Sequence, residues 1–133
     1  MTDDINLKEK TSPTILVVED NAPDRALVNR KIRELWPDCN IESASSLSAA
    51  YKALHLQDFD MVVLDLNLPD TMGPNTVSEI RKLDSSIPII VLTGMLSSIT
   101  ADESLRLGAN NIYSKAQLMD DDFLNVLEQN AAT

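Results

Sequence analysis

Five short apolar runs alternate along this 133-residue chain with segments whose apolar residues recur at helical spacing. The runs cover residues 15–18, 40–44, 61–64, 87–92 and 111–113. Such alternation is the mark of repeated β-α units, in which each strand returns parallel to the last through a covering helix. The run at 61–64 is apolar without alternation, as a central strand covered on both faces must be. The expected fold class is therefore α/β: one domain with a five-stranded parallel sheet and helices on both faces.

The helical segments follow in order. Pro23 suits a first helical turn, and Val28, Ile32 and Leu35 form a stripe that stops before Pro37. Ser46 can cap a second helix with Leu47, Ala50, Tyr51 and Leu54 on one face. Two prolines and a glycine make residues 66–74 a loop, after which Val77, Ile80 and Leu83 mark a third helix. Residues 98–107 read as a fourth whose apolar face is thin, with Ile99, Ala101 and Leu105, closed by Gly108. Residues 118–129 form the closing helix, with Phe123, Leu124 and Leu127 inward. Around these elements we expect a flexible tail over residues 1–12, a domain over 13–130 and a short tail over 131–133.

Charge narrows the function. A net charge of −10 and a pI near 4.3 argue against direct nucleic-acid binding, which needs clustered Lys and Arg to displace counterions. The single cysteine, Cys39, excludes an internal disulfide and any cysteine-based metal pattern, and it reads as a small buried residue suited to a reducing cytoplasm. The first residues lack the pattern of a secretory signal, and no apolar run approaches the roughly 20 residues of a membrane helix. Neither export nor membrane insertion is expected.

Four of the runs end in residues that handle metal or phosphate: Glu19 and Asp20 after the first, Asp65 after the third, Thr93 at the fourth, Lys115 beyond the fifth. In an open parallel sheet the carboxyl ends of the strands share one edge, so these side chains converge. Three carboxylates suit a hard divalent cation such as Mg²⁺, and Lys115 adds a further positive charge. A carboxylate beside a metal can attack phosphorus to give an acyl phosphate. Its oxygens would be met by the metal, by the Lys115 ammonium and by the Thr93 hydroxyl.

With Glu19-Asp20, Asp65-Leu66-Asn67-Leu68-Pro69, Gly73, Thr93-Gly94 and Lys115 in order, residues 14–129 resemble the receiver domain of two-component response regulators. The resemblance implies a flavodoxin-like (βα)5 fold with strand order 2-1-3-4-5, as in the stand-alone chemotaxis regulators. It implies that Asp65 is the phosphoacceptor, served by a sensor histidine kinase or a histidine phosphotransfer protein. Glu19, Asp20, Asp65 and the backbone carbonyl of Asn67 would hold Mg²⁺, while Thr93 and Lys115 would bind phosphoryl oxygens. Tyr113 would be the aromatic that turns inward as the Thr93 loop closes. A module of this kind is a signalling protein and not an enzyme, acting on a downstream protein target still to be identified or relaying its phosphoryl group.

Two departures from the family pattern stand out. Ala116 replaces the proline usual after the lysine; a cis bond before a non-proline costs about 2.5–4 kcal/mol, so a trans bond and a rebuilt loop are expected. Pro74 stands where a larger apolar residue is common. Two other readings compete. A phosphatase of the haloacid-dehalogenase type would need a general acid two residues after Asp65, where Asn67 stands. A degenerate receiver that binds partners without phosphate would not need the complete acid, hydroxyl and lysine set. His55 has no partner at metal spacing, Trp36 reads as a helix-end packing residue, and Met95 and Leu96 could serve docking.

Overall fold

Parallel strand pairing organises residues 12–131, the part of the chain that the computed structural model describes. The strands are β1 (Thr14–Val18), β2 (Asn40–Ala44), β3 (Met61–Asp65), β4 (Ile89–Thr93) and β5 (Asn111–Ser114). Between and after them lie α1 (Ala22–Leu35), α2 (Leu47–Leu56), α3 (Asn75–Leu83), α4 (Ser98–Arg106) and α5 (Asp121–Ala131). Apart from Ser12, the tail expected over 1–12 lies outside the described residues; of the 131–133 tail, Ala131 closes α5 and the rest is likewise outside.

The sheet runs β2-β1-β3-β4-β5, all parallel, which is the expected 2-1-3-4-5 order. Successive strand residues point to opposite faces. Leu16, Val18, Val62, Leu64, Ile89 and Val91 face the layer of α2 and α3, whereas Ile15, Val17, Met61, Val63, Ile90 and Leu92 face α1 and α5. The central strands β3 and β4 are buried throughout; β2, at the edge, is mostly exposed. Among the described residues no helix is long and apolar enough to cross a membrane.

Caps set the helix starts. Asn21 Oδ1 accepts from the Asp24 N–H at the start of α1, and Ser46 Oγ accepts from the Ala49 N–H at the start of α2. Asp70, from the β3–α3 connection, reaches across to accept from the Leu47 and Ser48 N–H groups at 2.8 and 2.9 Å. The connection read as plain loop carries a small antiparallel ribbon, Asn67–Leu68 against Thr71–Met72. Strands of two residues have no periodicity to betray them in a sequence.

Three expectations shift. Strand β4 starts after Pro88, whose carbonyl accepts from Val62 N–H at 2.9 Å, rather than at residue 87. Leu83, expected inward, is partly exposed at the end of α3. The closing helix begins at Asp121, because Lys115–Met119 forms a 3-10 helix first. Ser114 Oγ accepts from the Ala116 N–H, and the Gln117 side chain accepts in return from the Ser114 N–H at 2.9 Å. The Lys115–Ala116 bond is trans, with no cis peptide among the described residues, and this capped turn is the rebuilt loop.

At the amino ends of the strands, Arg81 of α3 binds several elements together. Its guanidinium donates to the carbonyls of Asp84, Ile87 and Gly108 and to Asn110 Oδ1 at 2.6–3.1 Å. Gly108, which follows α4, has φ +120°, and a Cβ there would come within 2.8 Å of Arg81 Nε. Helix α4 itself is thinly packed, as its composition foretold. Its one buried residue is Ser104, while Ile99 is 76% and Leu105 45% exposed.

Candidate phosphoryl and metal site

The strand order places the ends of β1, β3 and β5 around one cleft of about 480 Å³, lined by Glu19, Asp20, Asn21, Ala22, Asp24, Asp65, Asn67, Gly94 and Lys115. Glu19 follows β1 and is buried; Asp20 beside it is exposed; Asp65 ends β3 and is buried. One carboxylate oxygen from each lies within 4.8 Å of the others. Opposite ligands of an octahedral Mg²⁺ stand about 4 Å apart, so the donor type and spread fit such an ion.

Lys115 enters from the far side, just beyond β5. Its Nζ lies 2.7 Å from Glu19 Oε1, 2.8 Å from Asp24 Oδ2 and 3.4 Å from Asp65 Oδ2. Burial works against its charge, yet the hydrogen bonds to Asp24 and Glu19 outweigh it and hold the ammonium above the ordinary lysine range. Burial pushes the Glu19 carboxyl up to about 7, with Lys115 opposing and Asp65 adding to the rise. The two shifts differ in origin: Lys115 owes its own to the carboxylates it serves, and Glu19 owes its own to removal from water. Backbone amides complete the lining. The Asn21 N–H donates to Glu19 Oε2 at 3.1 Å, and the Asn67 N–H to Asp65 Oδ1 at 3.3 Å.

Of the residues singled out in the sequence, Glu19, Asp20, Asp65, Asn67 and Lys115 share the cleft. Thr93 is next to it. It is buried, its Oγ1 accepts from the Met95 N–H at 3.3 Å, and it lines an adjoining apolar cleft with Leu66, Met72 and Met95. Gly94 and Asn67 border both clefts.

Tyr113 is placed differently from the expectation. Thr93 continues the Val91 face of β4, toward α2 and α3, whereas Tyr113 packs on the α1 and α5 face, edge-on to Phe123 with ring centroids 6.5 Å apart. In β5 it is Ile112 that shares the face of Val91. An inward turn of Tyr113 behind Thr93 has no support in this placement, because neighbouring strand residues point oppositely. His55 is exposed, its Nδ1 2.7 Å from the Tyr51 carbonyl, and Cys39 is buried. Trp36 ends α1 and packs against the α1–α5 layer.

The residue that sequence reasoning missed is Asp24. It stands at the third position of α1, on the first turn of the helix that follows Glu19 and Asp20, and lines the same cleft.

The family model for the response regulator receiver domain matches residues 15–127. The chain belongs to the response-regulator receiver family. It is a receiver domain of the two-component type, homologous to phosphoacceptor signalling domains. Histidine kinase P4 of Formosa agariphila is 31% identical over 111 residues, which cover 82% of this chain and 8% of the kinase. The chain spans 17% or less of the length of the first curated relatives that it matches. Among solved structures, a putative response regulator from Chloroflexus aurantiacus superposes with a TM-score of 0.82 at 19% identity, over 92% of this receiver and 99% of that chain. The Mn²⁺-bound form of response regulator Rcp1 is 27% identical, with a TM-score of 0.70 over 87% of this receiver and 90% of that chain.

Proposed function

We propose that Asp65 accepts a phosphoryl group from a phosphohistidine, carried by a sensor histidine kinase or a histidine phosphotransfer protein. The observation that carries this reading is the convergence of Glu19, Asp20 and Asp65 oxygens within 4.8 Å, with Lys115 Nζ 3.4 Å from Asp65 Oδ2. A carboxylate oxygen of Asp65 forms the new O–P bond as the P–N bond breaks. The imidazole keeps that electron pair and takes up a proton.

Glu19, Asp20, Asp65 and the Asn67 carbonyl would hold Mg²⁺, which when bound offsets the charge gathered by the carboxylates and the phosphoryl oxygens. Lys115 supplies the fixed positive charge opposite Asp65. Thr93, one residue beyond the β3–β4 register, rotates its hydroxyl from the Met95 N–H toward a phosphoryl oxygen. Because Thr93 and Gly94 lead into the thinly held α4, that rotation changes the protein-binding surface. The signal then passes to a downstream protein, or the phosphoryl group is relayed onward.

Incubation with acetyl phosphate and Mg²⁺, read by intact mass, tests this. The expected result is one labile phosphoryl adduct on the wild type and none on Asp65→Ala. An adduct that persists in Asp65→Ala, or none on the wild type with phosphohistidine donors also inactive, would overturn it.

A further inference from the structure

Lys115 has three N–H bonds to give, and all three face carboxylates. The two short contacts, 2.7 and 2.8 Å, go to Glu19 and Asp24; the contact to Asp65 is the long one at 3.4 Å. Glu19 belongs to the acidic cluster, whose carboxylates a cation would engage. Asp24 does not. Its carboxylate lies outside the group of Glu19, Asp20 and Asp65 oxygens, and its side chain is 40% exposed on the first turn of α1. Its place is secured by the helix start, where its own N–H donates to Asn21 Oδ1 at 2.9 Å and the dipole favours an acid.

We infer that Asp24 is a positioning residue that holds the Lys115 ammonium toward α1 and so restrains phosphoryl transfer to Asp65. This rests on the phosphoacceptor reading of Asp65. During transfer from acetyl phosphate, the Asp65 oxygen forms a bond to phosphorus while the P–O bond breaks and acetate departs with its electron pair. Negative charge on the phosphoryl oxygens must then be met by donors near Asp65, and an ammonium shared with Asp24 meets it less fully. Removing the Asp24 charge releases one donor of Lys115 at the moment it is needed. The size of the effect is that of a half-exposed ion pair, about two- to fivefold in rate.

The test is the rate of phosphoryl adduct formation from acetyl phosphate at saturating Mg²⁺, by intact mass, over a range of donor concentrations. Wild type, Asp24→Asn, Asp24→Glu, Lys115→Ala and Asp24→Asn/Lys115→Ala are compared, the slow variants over hours, with thermal melts to check folding. Asp24→Asn is expected to raise the maximal rate about two- to fivefold, Asp24→Glu to return it to the wild-type value, and the gain to vanish when Lys115 is Ala. An unchanged or lower rate in Asp24→Asn overturns the role, leaving Asp65 as phosphoacceptor. A gain that persists without Lys115 also overturns it, since bulk repulsion of the anionic donor would then be the cause. No adduct on any variant, from acetyl phosphate or from a phosphohistidine donor, removes the phosphoacceptor reading, and the role of Asp24 with it.

Discussion

Glu19 sits at the end of β1 with water excluded, and its carboxyl titrates near 7 instead of 4.5 because burial disfavours the ion. Between those two values the folded protein holds a proton that the unfolded chain has lost. This contribution to stability is complete below about 4.5 and disappears as the pH climbs through 7. Chelator-treated protein should therefore melt at a lower temperature at pH 8 than at pH 5, and Glu19→Gln should flatten that dependence. The measurement is a series of thermal melts; a slope unchanged in Glu19→Gln would sink the assignment. Since a cation must displace the same proton, Mg²⁺ affinity should rise over this pH interval and level off above it, which calorimetric titration would follow. Asp20 and Asp65, flanking the same cluster, were legible in the sequence with Glu19 because each stands where an apolar run stops. Asp24 was not, because it belongs to a helix, and the rule of strand ends says nothing about helix first turns.

At the level of elements, two local features carry measurable stability. Asp70 caps α2 from a different connection, and the Leu47 and Ser48 N–H groups hold its carboxyl below the usual range. Asp70→Ala should cost about 1 kcal/mol in urea unfolding. Protonating Asp70 weakens the same cap as the pH falls below its ordinary 3.8. Gly108 combines a positive φ with the close approach of Arg81, so Gly108→Ala should cost about 2 kcal/mol by the same measurement. The sequence announced Gly108 as a helix stop and Ser46 as a helix start, because both act within a few residues of themselves. It did not announce Asp70, whose partners are 22 and 23 residues away, nor the 3-10 turn after Lys115, whose capping box takes the place of a hydrophobic period. The same limit explains Tyr113. Apolar runs fix which residues form a strand, but a displacement of one position reverses the face, and only register decides it.

Across the whole molecule, stability is unevenly spread. Strands β1, β3 and β4 are sealed between two helical layers, whereas α4 buries only Ser104 and leaves Ile99 outside. Amide hydrogen exchange should find α4 opening well before β3 and β4, at a free energy below that of global unfolding. Equal protection would show that α4 is held by more than its packing. Met95, 86% exposed in the turn before α4, lies on the same loosely held side of the fold. Binding of Mg²⁺ to the folded form alone should raise the melting temperature with ion concentration, and Asp65→Asn should weaken that response.

Arg81 gives this unevenness a direction. One guanidinium gathers α3, the approach to β4 and the start of β5 at the edge of the sheet away from the acidic cleft. The molecule is thus hemmed along one border and open along the other. On the open border the loops are tied only locally, by caps such as Asp70 on the start of α2. A change at the hemmed border is felt at once by three elements. Freedom to rearrange is accordingly concentrated on the side of the chain where the carboxylates lie.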